Sequence, residues 1–157
     1  KSHFDKIRLI GKPLQKFNVK DHRTGKKITP DSLKGKVVLI DFWALWCAPC
    51  LKAMRHLDDL QEKYRDQGLT VLGINLDTER SRSKVRSYIR SKGYGFTVAL
   101  DPSQESYRRL NGTAMPFTLL VNSTGKIVYR HSGYMPGDEK ILESEIQSII
   151  TSQERLQ

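Results

Sequence analysis

Cysteine is scarce in this chain: its 157 residues hold two, Cys47 and Cys50, three positions apart. A disulfide framework of the kind that staples small secreted domains is therefore excluded. A structural zinc site needs four ligands, usually as two pairs, and there is no second pair. The residue after the second cysteine is Leu51 rather than histidine, which excludes covalent haem attachment. Long apolar runs are missing too, since no stretch approaches the roughly 18 apolar residues that span a bilayer. The opening Lys1-Ser2-His3-Phe4 holds neither an initiator methionine nor a signal peptide, so a soluble, trimmed chain is expected, any leader or membrane tether lying outside these residues. Acids are the minority charge, 17 Asp and Glu against 27 Lys and Arg, for a formal net charge of +10. Such a balance favours acidic partners. Zinc-finger spacing, an aromatic RNA-binding signature and a recognition-helix pattern are nevertheless absent, so nucleic acid is not an expected partner. With no repeat, low-complexity tract or linker, the expectation is one domain, 1–157, with its core over about 11–150, and a monomer.

What is present reads as an α/β chain. Arg23-Thr24-Gly25-Lys26 between Phe17-Asn18-Val19 and Lys27-Ile28 predicts a hairpin, an N-terminal ribbon. Val37-Val38-Leu39-Ile40-Asp41-Phe42-Trp43 is a near-continuous apolar run of strand length, as a parallel strand buried on both faces requires. Pro49 suits a first helical turn, and Cys50, Ala53, Leu57, Leu60 and Tyr64 then recur on one helical stripe, with Gly68 as the stop. Leu69 to Leu76 is a second buried strand, which completes a right-handed βαβ unit with the cysteines at its first turn. A basic helix over Ser81 to Lys92, closed by Gly93, packs through Val85, Tyr88 and Ile89, and its Arg and Lys run reads as a solvated face. A short strand over Thr97 to Leu100 precedes a helix that Asp101 caps, with Pro102 at its first position and Gln104 completing a capping box. Phe117 to Val121 and Ile127 to Arg130 flank Asn122-Ser123-Thr124-Gly125 as an antiparallel hairpin. Asp138 caps a last helix that buries Ile141, Leu142, Ile146, Ile149 and Ile150.

The chemistry of the cysteines follows from that placement. The thiolate is the reactive form, and a free thiol with a pKa of about 8.5 is mostly protonated at neutral pH. If the helix starts just after Cys47, its sulfur meets unpaired backbone N–H groups and the positive end of the helix dipole, both of which favour the anion. Cys47 is then the nucleophile, and Cys50, on the core-facing stripe, the resolving thiol. Two structural or metal-binding cysteines are the alternative. Asp41, mid-strand among apolar residues, is costly to ionise there. It is either a proton acceptor behind Cys50 with a raised pKa or a hydrogen-bonded structural carboxylate. Pro116, immediately before a strand, forces a turn. Trp46 offers an apolar surface beside Cys47, whereas Trp43 belongs to the core.

Asp41-Phe42-Trp43-Ala44-Leu45-Trp46-Cys47-Ala48-Pro49-Cys50, together with Met115-Pro116, resembles the thioredoxins. The closer resemblance is to TlpA/ResA-type thiol-disulfide oxidoreductases, carried by Gly35-Lys36-Val37-Val38-Leu39, by the extra strand and helix between Leu76 and Pro116, and by Asn122-Ser123-Thr124-Gly125-Lys126-Ile127. It implies a thioredoxin-like fold, a central mixed sheet flanked by helices, with a βα insertion before a cis-Pro strand. Cys47, Cys50 and Asp41 become the expected catalytic set. Trp46, Ala48, Pro49, Met115 and Pro116 become the expected substrate contacts, the backbone of Met115 pairing with an extended segment. The resemblance further implies an extracytoplasmic protein, tethered or secreted, that reduces disulfides of exported proteins such as apocytochromes c and is recycled by a membrane or soluble reductant. A dithiol oxidant or isomerase is the alternative within enzymes. A copper-binding chaperone using His56 or His131 is the alternative outside them, although chaperones of this fold space their cysteines one residue further apart. No cofactor beyond the Cys47–Cys50 disulfide and no metal is expected. The chain departs from the family pattern at Ala53 and Arg55, where many members carry Glu and Pro, and at Gly73, where thioredoxin carries a Lys near its buried Asp.

Overall fold

The computed structural model describes residues 10–156. At the N-terminal side β1 (Val19–Asp21) and β2 (Lys27–Ile28) pair antiparallel around the expected turn, and a one-turn helix α1 (Pro30–Leu33) leads into β3 (Val37–Trp43). All seven residues of β3 are buried. Strand alternation sends Leu39 and Trp43 into one core layer and Val38, Ile40 and Phe42 into the other, so both faces of the strand need a cover. On the first face the cover is α2 (Ala48–Tyr64), which buries Cys50, Ala53, Met54, Leu57, Leu60 and Tyr64. The Gln61 side chain locks this helix to the next strand, β4 (Leu69–Asn75), donating to the Leu69 carbonyl at 2.8 Å and accepting from the Val71 amide at 2.7 Å. A short 3-10 turn over Arg65–Gln67 separates helix from strand, and Gly68, at φ 93°, supplies the left-handed residue that ends it.

Beyond β4 come α3 (Arg82–Lys92), β5 (Thr97–Leu100), the short α4 (Glu105–Arg109), the hairpin β6 (Phe117–Val121) and β7 (Ile127–Ser132), and the long α5 (Asp138–Leu156). The seven strands form one mixed sheet in the order β2-β1-β5-β4-β3-β6-β7, with β3, β4 and β5 parallel and the others antiparallel to their neighbours. On α3, Val85 and Ile89 are buried while the basic residues are exposed, Arg86 among them donating through Nε to the His22 carbonyl at 3.1 Å.

Three local expectations differ from the structure. Asp101 does not cap α4 through a capping box: residues 102–103 form a turn, Gln104 sits at φ 61° with its side chain on the Leu76 carbonyl, and the helix starts at Glu105. The Asp101 carboxylate instead receives the Ser106 amide at 2.9 Å and the Ser106 hydroxyl. Asp138 is the first residue of α5 rather than the residue before it, and its carboxylate reaches back to the Met135 amide at 2.7 Å. Ile141, 54% exposed, lies outside the buried stripe, which runs through Leu142, Ile146, Ile149 and Ile150 because residue 141 is one step of about 100° off it.

Gly73 pairs with Asp41 across β4 and β3, and a Cβ there would lie 2.9 Å from Phe96 Cε1 and 3.2 Å from Trp43 Nε1. The two aromatic side chains occupy the space, which is why this strand position is glycine. Gly73→Ala is expected to overpack the core and destabilise by about 1–3 kcal/mol, read as a lower urea midpoint at unchanged m-value. An unchanged midpoint would show that the aromatic pair gives way freely.

Candidate active site

The end of β3 and the start of α2 are held by a small set of bonds. The Leu76 amide donates to the Trp43 carbonyl at 2.9 Å, the Cys47 amide to the Ala44 carbonyl at 3.1 Å, and the Leu45 amide to Asp77 Oδ2 at 2.8 Å. Asp77 Oδ2 also accepts from Asn75 Nδ2 at 2.9 Å, so one buried carboxylate pins the turn that presents Trp46 and Cys47. Cys47 is the N-cap of α2: its backbone is extended, its carbonyl accepts the Leu51 amide at 3.2 Å, and its sulfur accepts the Cys50 amide at 3.3 Å. Pro49, in the first turn, has no N–H to leave unpaired, and no acidic residue lies in that turn to offset the helix's positive end. A sulfur so placed takes the position that an Asp or Ser oxygen takes at an ordinary N-cap.

Cys47 and Cys50 are joined as a disulfide, with their Cα atoms 5.3 Å apart. Cys50 is fully buried, its sulfur 4.0 Å from the Phe42 carbonyl oxygen. Cys47 is only 6% exposed in this oxidised form and opens onto an open groove of about 580 Å³ lined by Trp46, Ala48, Pro49, Tyr107 and Met115. Trp46 is 68% exposed at its rim. The Met115–Pro116 peptide is cis. Pro116 is buried and lines a cavity on the Asp41 side, whereas Met115 lines the groove beside Cys47.

Asp41 is 2% exposed. Its place on β3, between Leu39 and Trp43 in alternation, puts its side chain on the face covered by α2, the layer that contains Cys50. Burial pushes its carboxyl up to about 7, against a small lowering from the Thr118 hydroxyl, which donates to Oδ1 at 3.0 Å. Oδ2 has no hydrogen-bond partner among the described residues. The cavity beside it, about 40 Å³, is also lined by His56, Tyr129, His131 and Asp138. His56 and His131 therefore sit around Asp41 and not in the groove of Cys47. Among the described residues no group of three His, Cys, Asp or Glu side chains could hold a metal ion, and no helix is long and apolar enough to cross a membrane.

Sequence reasoning missed Asp77, Tyr107, Thr118 and the His131–Asp138 pair. Tyr107 packs edge-on to Phe42 and Phe117 and donates to the Ala114 carbonyl at 2.9 Å, which fixes the loop before Met115. Thr118 stands directly opposite Asp41 in the β3/β6 register, a partnership visible only once those strands are paired.

The Redoxin family profile matches residues 9–146. The thiol-disulfide oxidoreductase ResA of Bacillus thuringiensis (strain Al Hakam) is 35% identical over 119 residues, 76% of this chain and 67% of that protein. ResA of Bacillus cereus (strain ZK / E33L) is 32% identical over 140 residues, 89% of this chain and 78% of that one. Among solved structures, a Chlorobium tepidum protein provisionally designated thiol:disulfide interchange protein DsbE superposes with a TM-score of 0.83 at 30% identity, covering 90% of this chain and 97% of its own.

The raised carboxyl of Asp41 links stability to pH. The folded chain binds its proton up to about pH 7 and the unfolded chain only up to about 4, so stability is highest below pH 4 as far as this group is concerned and falls through the window from 4 to 7. Asp41→Asn, which cannot ionise, is expected to remove that fall and to leave the oxidised variant more stable than the parent above pH 7, by on the order of 4 kcal/mol at most. Urea denaturation between pH 4.5 and 8 checks this, and parallel curves for the two proteins would contradict it.

Proposed function

The chain belongs to the Redoxin family, and within it to the TlpA/ResA-type thiol-disulfide oxidoreductases, and from that premise we propose that it reduces disulfides of extracytoplasmic proteins through Cys47 and Cys50. The observation that carries this reading is the Cys47 sulfur at the N-cap of α2, accepting the Cys50 amide and facing an open groove. In the reduced protein the same N–H and the same dipole favour the Cys47 thiolate. That thiolate attacks one sulfur of a partner disulfide, forming a mixed disulfide and expelling the other sulfur as a thiolate. Cys50, buried against the Phe42 carbonyl, is then the only thiol of the protein positioned to resolve it. Loss of the Cys50 proton to Asp41 makes the second thiolate, which attacks Cys47 and frees the reduced partner. A carboxyl near 7 suits that exchange, since it accepts at neutral pH and releases again without a large barrier.

Trp46, Ala48, Pro49 and Met115 form an apolar wall for an unfolded or extended segment, with backbone pairing at Met115 as a form of strand addition. Apocytochromes c are the exported substrates that the family resemblance favours, and a membrane or soluble thiol reductant returns the Cys47–Cys50 disulfide to the dithiol. Net direction is set by the reduction potential, in which 30 mV corresponds to about 1.4 kcal/mol for a two-electron couple.

Cys47→Ser is expected to abolish reduction of a peptide disulfide. Cys50→Ser is expected to retain the first attack and stall, accumulating Cys47-linked mixed disulfides that resolve on non-reducing gels and dissolve with added dithiol. Equal activity of Cys47→Ser and the parent would sink the reading, as would stalled adducts on Cys50 in Cys47→Ser but none on Cys47 in Cys50→Ser.

A further inference from the structure

The cavity behind α2 connects buried Asp41 with a pair of groups at the surface that the reaction above leaves idle. Strand register sets three residues in one row: Asp41 is opposite Thr118 across β3 and β6, and Thr118 is opposite His131 across β6 and β7. Asp41 Oδ1 holds the Thr118 hydroxyl, Oδ2 has no hydrogen-bond partner among the described residues, and Asp41, Thr118, His131 and Asp138 all line the same cavity. At about 40 Å³ the space exceeds what a single water needs. At its outer end the His131 side chain is 36% exposed, and its Nε2 lies 2.8 Å from Asp138 Oδ2.

We propose that His131, oriented by Asp138, passes to solvent the proton that Asp41 takes from Cys50, with this cavity as the path. The proposal rests on the Cys47/Cys50 dithiol reading above. When Cys50 resolves a mixed disulfide, its S–H bond breaks and the proton goes to the Asp41 carboxylate. The Cys50 electron pair forms the Cys47–Cys50 bond while the Cys47–partner bond breaks, and the partner leaves as a thiolate. Asp41 then holds one proton with no surface of its own through which to lose it. The Met135 N–H, and less strongly His131, hold the Asp138 carboxyl below its ordinary range, so it is ionised at neutral pH and accepts from His131 Nε2–H. That fixes Nδ1 as the basic nitrogen of the ring. The imidazole takes the Asp41 proton through cavity water and gives one to bulk solvent, which returns Asp41 to its accepting form with atoms and charge balanced.

Other titratable groups face the same space from the elements packed around it. His56 of α2 stacks on Tyr134 at 6.2 Å, Glu139 of α5 accepts the Tyr134 hydroxyl and the Gly137 amide at 3.2 Å each, and burial raises Tyr129 of β7 further from neutrality. His131 acts through Asp41 and touches neither sulfur in this scheme.

Dipyridyl disulfide separates the steps, because attack by Cys47 releases one coloured thione and resolution by Cys50 releases the second. In stopped flow at pH 6, where a carboxyl near 7 starts mostly protonated and must pass that proton outward before it can accept the one on Cys50, His131→Gln and His131→Ala are expected to keep the first phase of the parent and to slow the second by at least about tenfold. Added imidazole is expected to restore the second phase in His131→Ala and to leave the parent unchanged, a response that a purely structural role would not produce. Circular dichroism of both variants guards against misfolding, and His131→Gln keeps a hydrogen-bonding side chain in place if the smaller residue perturbs the sheet. A second phase unaltered in both variants, or a deficit that imidazole does not repair, overturns the relay. The probe reports on any dithiol with a leading and a resolving thiol, so those results leave the reading of protein-disulfide reduction standing, whereas loss of both phases in the parent overturns that reading and the relay together.

Discussion

One backbone amide and one sulfur define this molecule. The Cys50 N–H points at Cys47 Sγ because Cys47 occupies the N-cap of α2, and it occupies that position because β3 runs out at Trp43 and the chain must turn before the helix can begin. Asp77 and the Trp43 and Ala44 carbonyls hold the turn. Charge–dipole attraction at a helix end is worth about 0.3–1 kcal/mol when exposed and up to about 2 when partly buried. At 1.36 kcal/mol per pKa unit, that range and the direct N–H contact suffice to move a thiol by about one unit toward neutrality. The absence of any acid in the first helical turn leaves the effect undiminished.

The second requirement is a place for the other proton, and here the fold works against its own stability. Asp41 sits in the strand that anchors both core layers, with Gly73 beside it on β4, where Trp43 and Phe96 take up the space, and Thr118 as its only hydrogen-bond donor among the described residues. Burial of that kind favours the neutral acid and makes ionisation near pH 7 expensive for the folded state. A structural carboxylate would be better served by a second donor. The unpartnered Oδ2 and the adjoining cavity are instead features that suit a group whose protonation changes during turnover.

The parts of this arrangement legible in the sequence are those that depend on neighbours along the chain. β3, α2 and the cysteine pair announce themselves by an apolar run, a helical stripe and a three-residue spacing, and each stands where periodicity put it. Asp41 stood out because a carboxylate interrupts apolar alternation. Its surroundings did not, because Thr118 lies 77 positions on and reaches Asp41 through strand register, while His131 and Asp138 are brought in by β7 and the first turn of α5. Local errors have similarly physical causes. Gln104 adopts a left-handed backbone that no capping rule anticipates, and Asp138 serves the turn before its helix rather than the helix itself. Ile141 shares the apolar character of the stripe expected to be buried, but the helical angle carries it into solvent.

The proposed function requires the mouth of α2 to hold Cys47 as an anion while Cys50 behind it stays protonated. Alkylation rates of the two thiols in the reduced protein, followed from pH 4 to 10, test this directly. Cys47 is expected to titrate at least about one unit below the free-thiol value of about 8.5 and to react first, with Cys50 titrating above that value and reacting slowly. Titration of Cys47 at or above about 8.5, or preferential alkylation of Cys50, would contradict it.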